Sequence, residues 1–332
     1  MMNRIAAAAL TALALSAQGC APITAQAPVA TTTAAIPRAE QPAACPATGA
    51  ALQVLGSGGP LAEWAGGEGR AGTSYLLWID GTPRLLIDAG SGSFLRFAEA
   101  GGKLASLDAI LLTHLHADHA GDLGDLLNSG GFETRTAPLP VIGPDGAERF
   151  PGTGEFLARL LGKDVGAFAY NGGFIDGSEG KFRLDPRDIP TAAGTAAAVG
   201  LDVSNDYSVV AHPVNHGPAP ALGYVIEWNG KAVVITGDQS ALSERFLADL
   251  TGAKPVILFA HHVINGAEGQ PRGLHRTPAQ IGELAGALAP ARLVLTHNMQ
   301  RSLAPMAESL AAISAGYAGA VTVAADLDCY AL

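Results

Sequence analysis

Residues 113–119 read THLHADH, and four of them, His114, His116, Asp118 and His119, carry side chains that bind metal ions. They follow an apolar run, DAILL, over 108–112. On extended backbone, residues two apart share a face, so His114 and His116 are able to grip one cation together. Asp118 and His119 come where the chain turns towards a helix, and they face a different point. The arrangement this serves is a pair of cations about 3.5–4 Å apart. Neutral imidazole and carboxylate suit Zn²⁺ well, and no cysteine is needed. A histidine-rich surface turn would have a similar composition. The H-x-H-x-D-H spacing at the C-terminal side of an apolar strand argues against it.

The elements that must position this motif are legible in outline. The runs ALQVLG (51–56), SYLLWI (74–79) and RLLIDAG (84–90) are short β-type segments separated by Gly-rich turns, as in an antiparallel meander. The strand DAILLTH (108–114) carries the motif at its end, and PLPVIGP (138–144) follows. Further strands are expected at 207–214, 222–228, 231–238, 255–261, 292–297 and 320–326. Asn229-Gly230 joins two of them as a tight hairpin. Helical patterns occupy 93–100, 119–129, 146–161, 241–250, 277–288 and 303–315. The segment 163–206 is polar and Gly-rich, and is expected to form loops or an insertion over the site. Both halves run strands, then a strand ending in a metal-type residue, then a helix. That pattern suggests two sheets back to back with helices outside.

Ahead of this body stands MMNRIAAAALTALALSAQGC. Arg4 precedes an apolar run, Ile5 to Ala17, too short to span a bilayer, as in a signal peptide. Its end, SAQGC, resembles the lipobox of bacterial lipoproteins. That resemblance implies lipidation at Cys20, with Ala17 in place of the more typical Leu. Cleavage after Ala25-Gln26-Ala27 is the alternative, giving a free periplasmic protein. Residues 21–47 are rich in Ala, Pro and Thr and read as a tether, so the folded domain is expected over 48–332. Cys45 and Cys329 lie near the two ends of that domain, and export to an oxidising compartment makes a disulfide between them compatible with their position. The net charge of −10 argues against a polyanionic partner, since nucleic-acid binders usually carry a basic surface.

The stretch THLHADHAGDL resembles the signature of the metallo-β-lactamase superfamily, and VLGSGG, LLIDAGSG and GPDG (143–146) match it as well. The resemblance covers roughly 50–330. It implies an αβ/βα four-layer sandwich, two mixed sheets face to face with helices outside, and a two-zinc site along one edge. Mn²⁺ and Fe²⁺ are alternatives. HPVNHGPAPALGYVIE is similar to the ribonuclease Z branch, which implies that His216 is the third ligand of the first ion, with His212 as its rival. VVITGDQS then supplies Asp238 as the carboxylate bridging both ions. The end of HRTPAQIGELAGALAPARLVLTH supplies His297 for the second ion, and its start supplies His275, near the scissile bond. Asp88 resembles an Asp that supports ligands rather than binding metal. His261 or His262 is expected to hold a ligand or line the pocket.

The chemistry implied is hydrolysis by a metal-activated water, with Asp118 binding metal and orienting that water, and His275, if protonated, donating to the leaving oxygen. True β-lactamases of the superfamily generally lack a bridging carboxylate, so TGDQ argues against that activity. An RNA substrate is disfavoured by three features. The start is of exported type. Only a hairpin lies between Gly223 and Asp238, where ribonuclease Z enzymes in many cases insert a tRNA-binding arm. GRAGTS (69–74) lacks the Asn of the family's RN, and Gln239 replaces its Thr. The expected function is therefore an exported dinuclear zinc hydrolase, acting on a small phosphodiester or related ester and anchored to the outer membrane only through an N-terminal lipid. A lactonase, a tRNA 3′-processing endonuclease and a non-catalytic metal-binding lipoprotein are the alternatives. A dimer is compatible with the sequence.

Overall fold

A computed structural model describes residues 45–62 and 69–332. The signal-type segment 1–20, Cys20 and residues 21–44 lie outside the described residues. Six strands form most of a first sheet: β1 (Ala50–Gly56), β2 (Ser74–Ile79), β3 (Thr82–Ile87), β4 (Ala109–Leu111), β5 (Leu139–Pro144) and β6 (Leu184–Ile189). The second sheet holds β7 (Val199–Leu201), β8 (Ser208–His216), β9 (Ala219–Trp228), β10 (Lys231–Ile235), β11 (Ile257–His261), β12 (Arg292–Thr296) and β13 (Ala320–Val323). A last strand, β14 (Cys329–Ala331), returns to the first sheet beside β1. The orders are β14-β1-β2-β3-β4-β5-β6 and β13-β12-β11-β10-β9-β8-β7. Each sheet is half antiparallel and half parallel: β3 to β6 run parallel in one, β10 to β13 in the other.

Alternation along the strands makes the layers, because successive side chains point to opposite faces. Leu52, Val54, Tyr75, Leu77, Leu85 and Ile87 of the first sheet meet Tyr224, Ile226, Val233, Ile235, Phe259 and Val294 of the second in one buried cluster. The intervening Leu76 and Leu86 face the other way, onto Phe97, Leu123, Leu127 and Leu157 of the helices Ser93–Glu99, Leu123–Gly130 and Thr153–Leu161. On the far side, Val234, Leu258 and Leu295 pack against Phe246, Ile281, Leu284 and Ile313. The result is the expected four-layer sandwich of two mixed sheets with helices outside. Each such leucine, fully buried, contributes about 1.5–3 kcal/mol relative to exposure.

Several expectations about elements need correction. Segment 163–206 is not an insertion of loops: it supplies β6 and β7, one edge strand of each sheet. Leu184–Ile189 reads LDPRDI, with its middle exposed. Proline and charge are tolerated on an edge, and they hide the strand from a pattern search. The helix expected at 146–161 begins only at Thr153, because a tight turn and Pro151 occupy the preceding residues. The helix expected at 303–315 is interrupted at Pro305. The tether ends earlier than 47: Cys45 is bonded to Cys329 with Cα atoms 5.5 Å apart, and Gly49 N–H donates to Asp80. The Asn229-Gly230 hairpin forms as expected, with φ of 48° and 72°.

Candidate metal centre

Strand direction gathers the site. The strands β4, β10, β11 and β12 end at the same edge, and β8, antiparallel to β9 as β10 is, ends there too. Just at or beyond those ends come His114, Asp238, His261, His297 and His216. His116 stands at the N-cap of the short helix Ala117–Ala120, whose first turn carries Asp118 and His119. Glycine allows this helix to close in: a Cβ on Gly90 would collide with the Asp118 carbonyl oxygen. Asp88 and His297 adopt left-handed backbone, φ 59° and 53°, which non-glycine residues rarely do.

The side chains form two overlapping groups. In the first, His114 Nε2 lies 2.9 Å and His216 Nε2 3.4 Å from His116 Nδ1. His216 Nδ1 donates to the Leu274 carbonyl at 3.0 Å, which leaves its Nε2 lone pair facing the group. In the second, His119 Nε2 lies 3.0 Å from His297 Nε2, and Asp118 Oδ2 is 3.1 Å from the same atom. Asp238 belongs to both. Its Oδ2 is 3.9 Å from His114 Nε2, 3.7 Å from His216 Nε2 and 3.8 Å from His119 Nε2, and its Oδ1 is 3.4 Å from His297 Nε2.

A surrounding set of hydrogen bonds fixes these groups. Asp88 accepts from Thr113 N–H at 2.7 Å, Thr113 Oγ1 at 2.8 Å and His119 Nδ1 at 2.8 Å. His261 Nδ1 donates to Asp238 Oδ1 at 2.6 Å, and its Nε2 accepts from Tyr75 Oη at 2.9 Å. Thr296 Oγ1, 2.7 Å from that hydroxyl, continues the chain. Arg70 donates to Ser57 Oγ and the Ala324 carbonyl, and Asp326 accepts from Ser57, Ala71 and Arg96, so the loops around the site are tied together.

Burial and charge set the protonation states. Burial pushes the His114 imidazole well below its ordinary range, and the neighbouring His119 and His216 push the same way. Burial would raise the Asp238 carboxyl, but His297, His261, His275 and His119 outweigh it and hold it ionised. Asp118 is likewise held low against burial by His119 and His297. Burial takes His275 down to about 3, which favours the neutral imidazole, whereas the sequence reading made its donation conditional on protonation.

The donor set fits divalent cations. The side chains within 4.8 Å of one another are imidazoles and carboxylates, grouped as His114-His116-His216, as His119-Asp238-His261-His297 and as His216-Asp238-His275. Two ionised buried carboxylates need compensating positive charge. His275 Nδ1 and His297 Nδ1 are buried without a hydrogen-bond partner. His275 Nδ1 stands 3.7 Å from Asp238 Oδ2. Of the residues expected at the site, His114, His116, Asp118, His119, His216, Asp238, His275 and His297 all come together here. His212 does not: it packs on Phe246, with Nδ1 3.8 Å from Asp249. His261 is the member whose role the sequence left open between two neighbours. His262 turns away, to Asn298 at 3.2 Å.

Comparison with known proteins agrees with the fold. The family model described as the metallo-β-lactamase superfamily matches residues 67–297. A ribonuclease Z from Mycolicibacterium paratuberculosis is 31% identical over 288 residues, covering 83% of this chain and 96% of its own. Among solved structures, the metallo-β-lactamase fold protein YhfI from Bacillus subtilis superposes with a TM-score of 0.63 at 18% identity, covering 85% of this chain and 99% of its own. The short form of human tRNase Z gives 0.61 at 19% identity, covering 85% and 98%.

Proposed function

The chain belongs to the metallo-β-lactamase superfamily, and from that premise we propose an exported, zinc-dependent hydrolase of small phosphodiesters or related esters. The observation that carries the reading is the position of Asp238. One buried carboxylate lies within 4 Å of imidazole nitrogens from both histidine groups, as a ligand shared by two cations must. His114, His116 and His216 would hold one ion, Asp118, His119 and His297 the other, and Asp238 both. Two cations held there would supply Lewis acidity and a water made acidic enough to ionise near neutral pH.

The protein side chains supply the rest. Asp118, ionised and facing the second group, orients the attacking water and accepts its proton. His119 is turned inward by Asp88, and Asp238 is aimed by His261. Such outer partners fix ring orientation and ligand basicity. His275, neutral and buried beside Asp238, donates an N–H towards the leaving oxygen. The bridging carboxylate disfavours β-lactams. RNA cleavage is a second reading, favoured by the identity to ribonuclease Z. Against it stands the two-residue link Asn229-Gly230 between β9 and β10, which leaves no room for an arm.

The test is hydrolysis of bis(4-nitrophenyl) phosphate by the purified, zinc-loaded chain. Turnover abolished by a chelator and restored by zinc is expected, and His275→Ala is expected to lose at least tenfold in kcat while keeping its metal. No turnover by protein holding two zinc ions per chain would count against the phosphodiesterase reading. Faster cleavage of a precursor tRNA than of the small ester would favour RNA. Export and anchoring rest on residues 1–20, outside the described residues. A Cys20→Ala chain that still sediments with membranes would count against the lipid anchor.

A further inference from the structure

We propose that Phe150 forms an apolar subsite at the mouth of the metal centre, which takes an aryl or similarly flat hydrocarbon group of the ester substrate. The inference rests on the hydrolase reading above and names the substrate class within it.

Access comes first. His114, His119, His216, Asp238 and His297 are all buried, and His116 is the member of the two groups left half-exposed. Solvent, and therefore substrate, reaches the centre over His116. The Phe150 ring stands there, with its centroid 5.9 Å from that of His116 at an interplanar angle of 60°. His216 stands next to His116, with ring centroids 5.1 Å apart, and is held from behind by the Leu274 carbonyl.

Phe150 is not there to fill a core. It is half-exposed, and among the described residues it joins none of the buried apolar clusters. An exposed phenylalanine on a loose loop would mean little. This one is held rigidly. Ala147 and Phe150 exchange both backbone hydrogen bonds at 2.9 Å, closing a tight turn. Upstream, Asp145 N–H donates to the Ile189 carbonyl, and Asp145 Oδ1 accepts from Thr191 N–H and Oγ1. Downstream, Thr153 Oγ1 donates to the Pro144 carbonyl and Gly154 N–H to Asp188. The bracket fixes the ring without covering it, so its free face keeps no apolar partner until a ligand arrives.

The chemistry of the occupant follows. The Phe150 ring offers carbon only, so it selects by apolar contact and not by reading a hydrogen-bonding edge as a nucleobase would require. Aromatic rings prefer edge-to-face or offset contact, worth about 0.5–1.5 kcal/mol beyond area burial. Together with the buried area, that predicts a preference of about tenfold for an aryl over a short alkyl substituent.

The test uses phenylphosphonate and ethylphosphonate, which carry the same head group, titrated calorimetrically into the zinc-loaded full-length protein. The parent is expected to bind phenylphosphonate about tenfold more tightly. Phe150→Ala is expected to remove that preference while leaving ethylphosphonate affinity and zinc content unchanged, and Phe150→Trp to keep it. A parent without preference, a preference that survives in Phe150→Ala, or an equal loss of both affinities would overturn the subsite. In the last case Phe150 merely props His116. An intact aryl preference in a protein that hydrolyses neither a phosphodiester nor a carboxylic ester would instead sink the hydrolase reading and leave the subsite standing.

Discussion

Asp88 does for His119 what no metal ligand does for itself. Fully buried and in left-handed backbone, it accepts from the imidazole Nδ1 and from both the N–H and the hydroxyl of Thr113. The first bond fixes the His119 tautomer, and the others hold the end of the motif strand. Asp88→Ala is expected to weaken zinc binding by about 10–100-fold, the usual cost of losing an outer partner. The Thr113 N–H left unpaired is expected to cost a further 1–3 kcal/mol or so in stability. Competition with a chromogenic chelator reads the first effect and denaturant unfolding of the metal-free protein the second. At this scale the grouping of His114, His116, Asp118 and His119 was legible because H-x-H-x-D-H is a local pattern, whereas His216, Asp238 and His297 were reached through the resemblance to ribonuclease Z sequences, and all three stand at or just beyond strand ends. The placement of His261 against Asp238 was not legible. It depends on which of two adjacent histidines faces inward, and that is set by the β10–β11 register. Phe150 carried no signal at all, since its meaning comes from a bracket closed by Thr191 and Asp188, about forty residues away.

The helix Pro278–Leu288 shows how one element serves the centre. Thr277 closes a capping box with Gln280, and Pro278 opens the first turn. The cap lies two residues after His275, so helix geometry fixes the backbone that delivers that imidazole. Thr277→Ala is expected to destabilise the protein by about 1 kcal/mol. It should also lower kcat more than KM, because a displaced His275 is felt where the leaving group departs and little where substrate binds. Thermal unfolding and steady-state kinetics on one small ester give both numbers. Central strands, continuous in Leu, Val and Ile, were legible in the sequence. Three of the four edge strands were not: LDPRDI and the three-residue VGL and CYA lack the apolar run that burial on both faces imposes, whereas the fourth, AVTV, falls within the strand expected at 320–326.

At the scale of the whole molecule, the bond between Cys45 and Cys329 spans 284 residues of sequence. It fastens the first described residue to the strand that borders β1, next to the Asp326 network that braces the loops of the site. Opening so long a loop is expected to cost about 2–4 kcal/mol, or several degrees in Tm. A Cys45→Ser, Cys329→Ser chain should melt lower by that amount and ignore reductant, whereas the parent should fall to the same Tm when reduced. Calorimetry with and without reductant separates the two. The same bond makes the described fold a nearly closed ring, its two ends 5.5 Å apart at Cα. The order of the elements along the chain is then separable from their arrangement in space. If the ends were joined by a few residues and the backbone cut at the exposed Asn229-Gly230 turn, a circular permutant would run from β10 round to β9. It would contain the same two sheets and the same metal centre, with the motif histidines now in its second half.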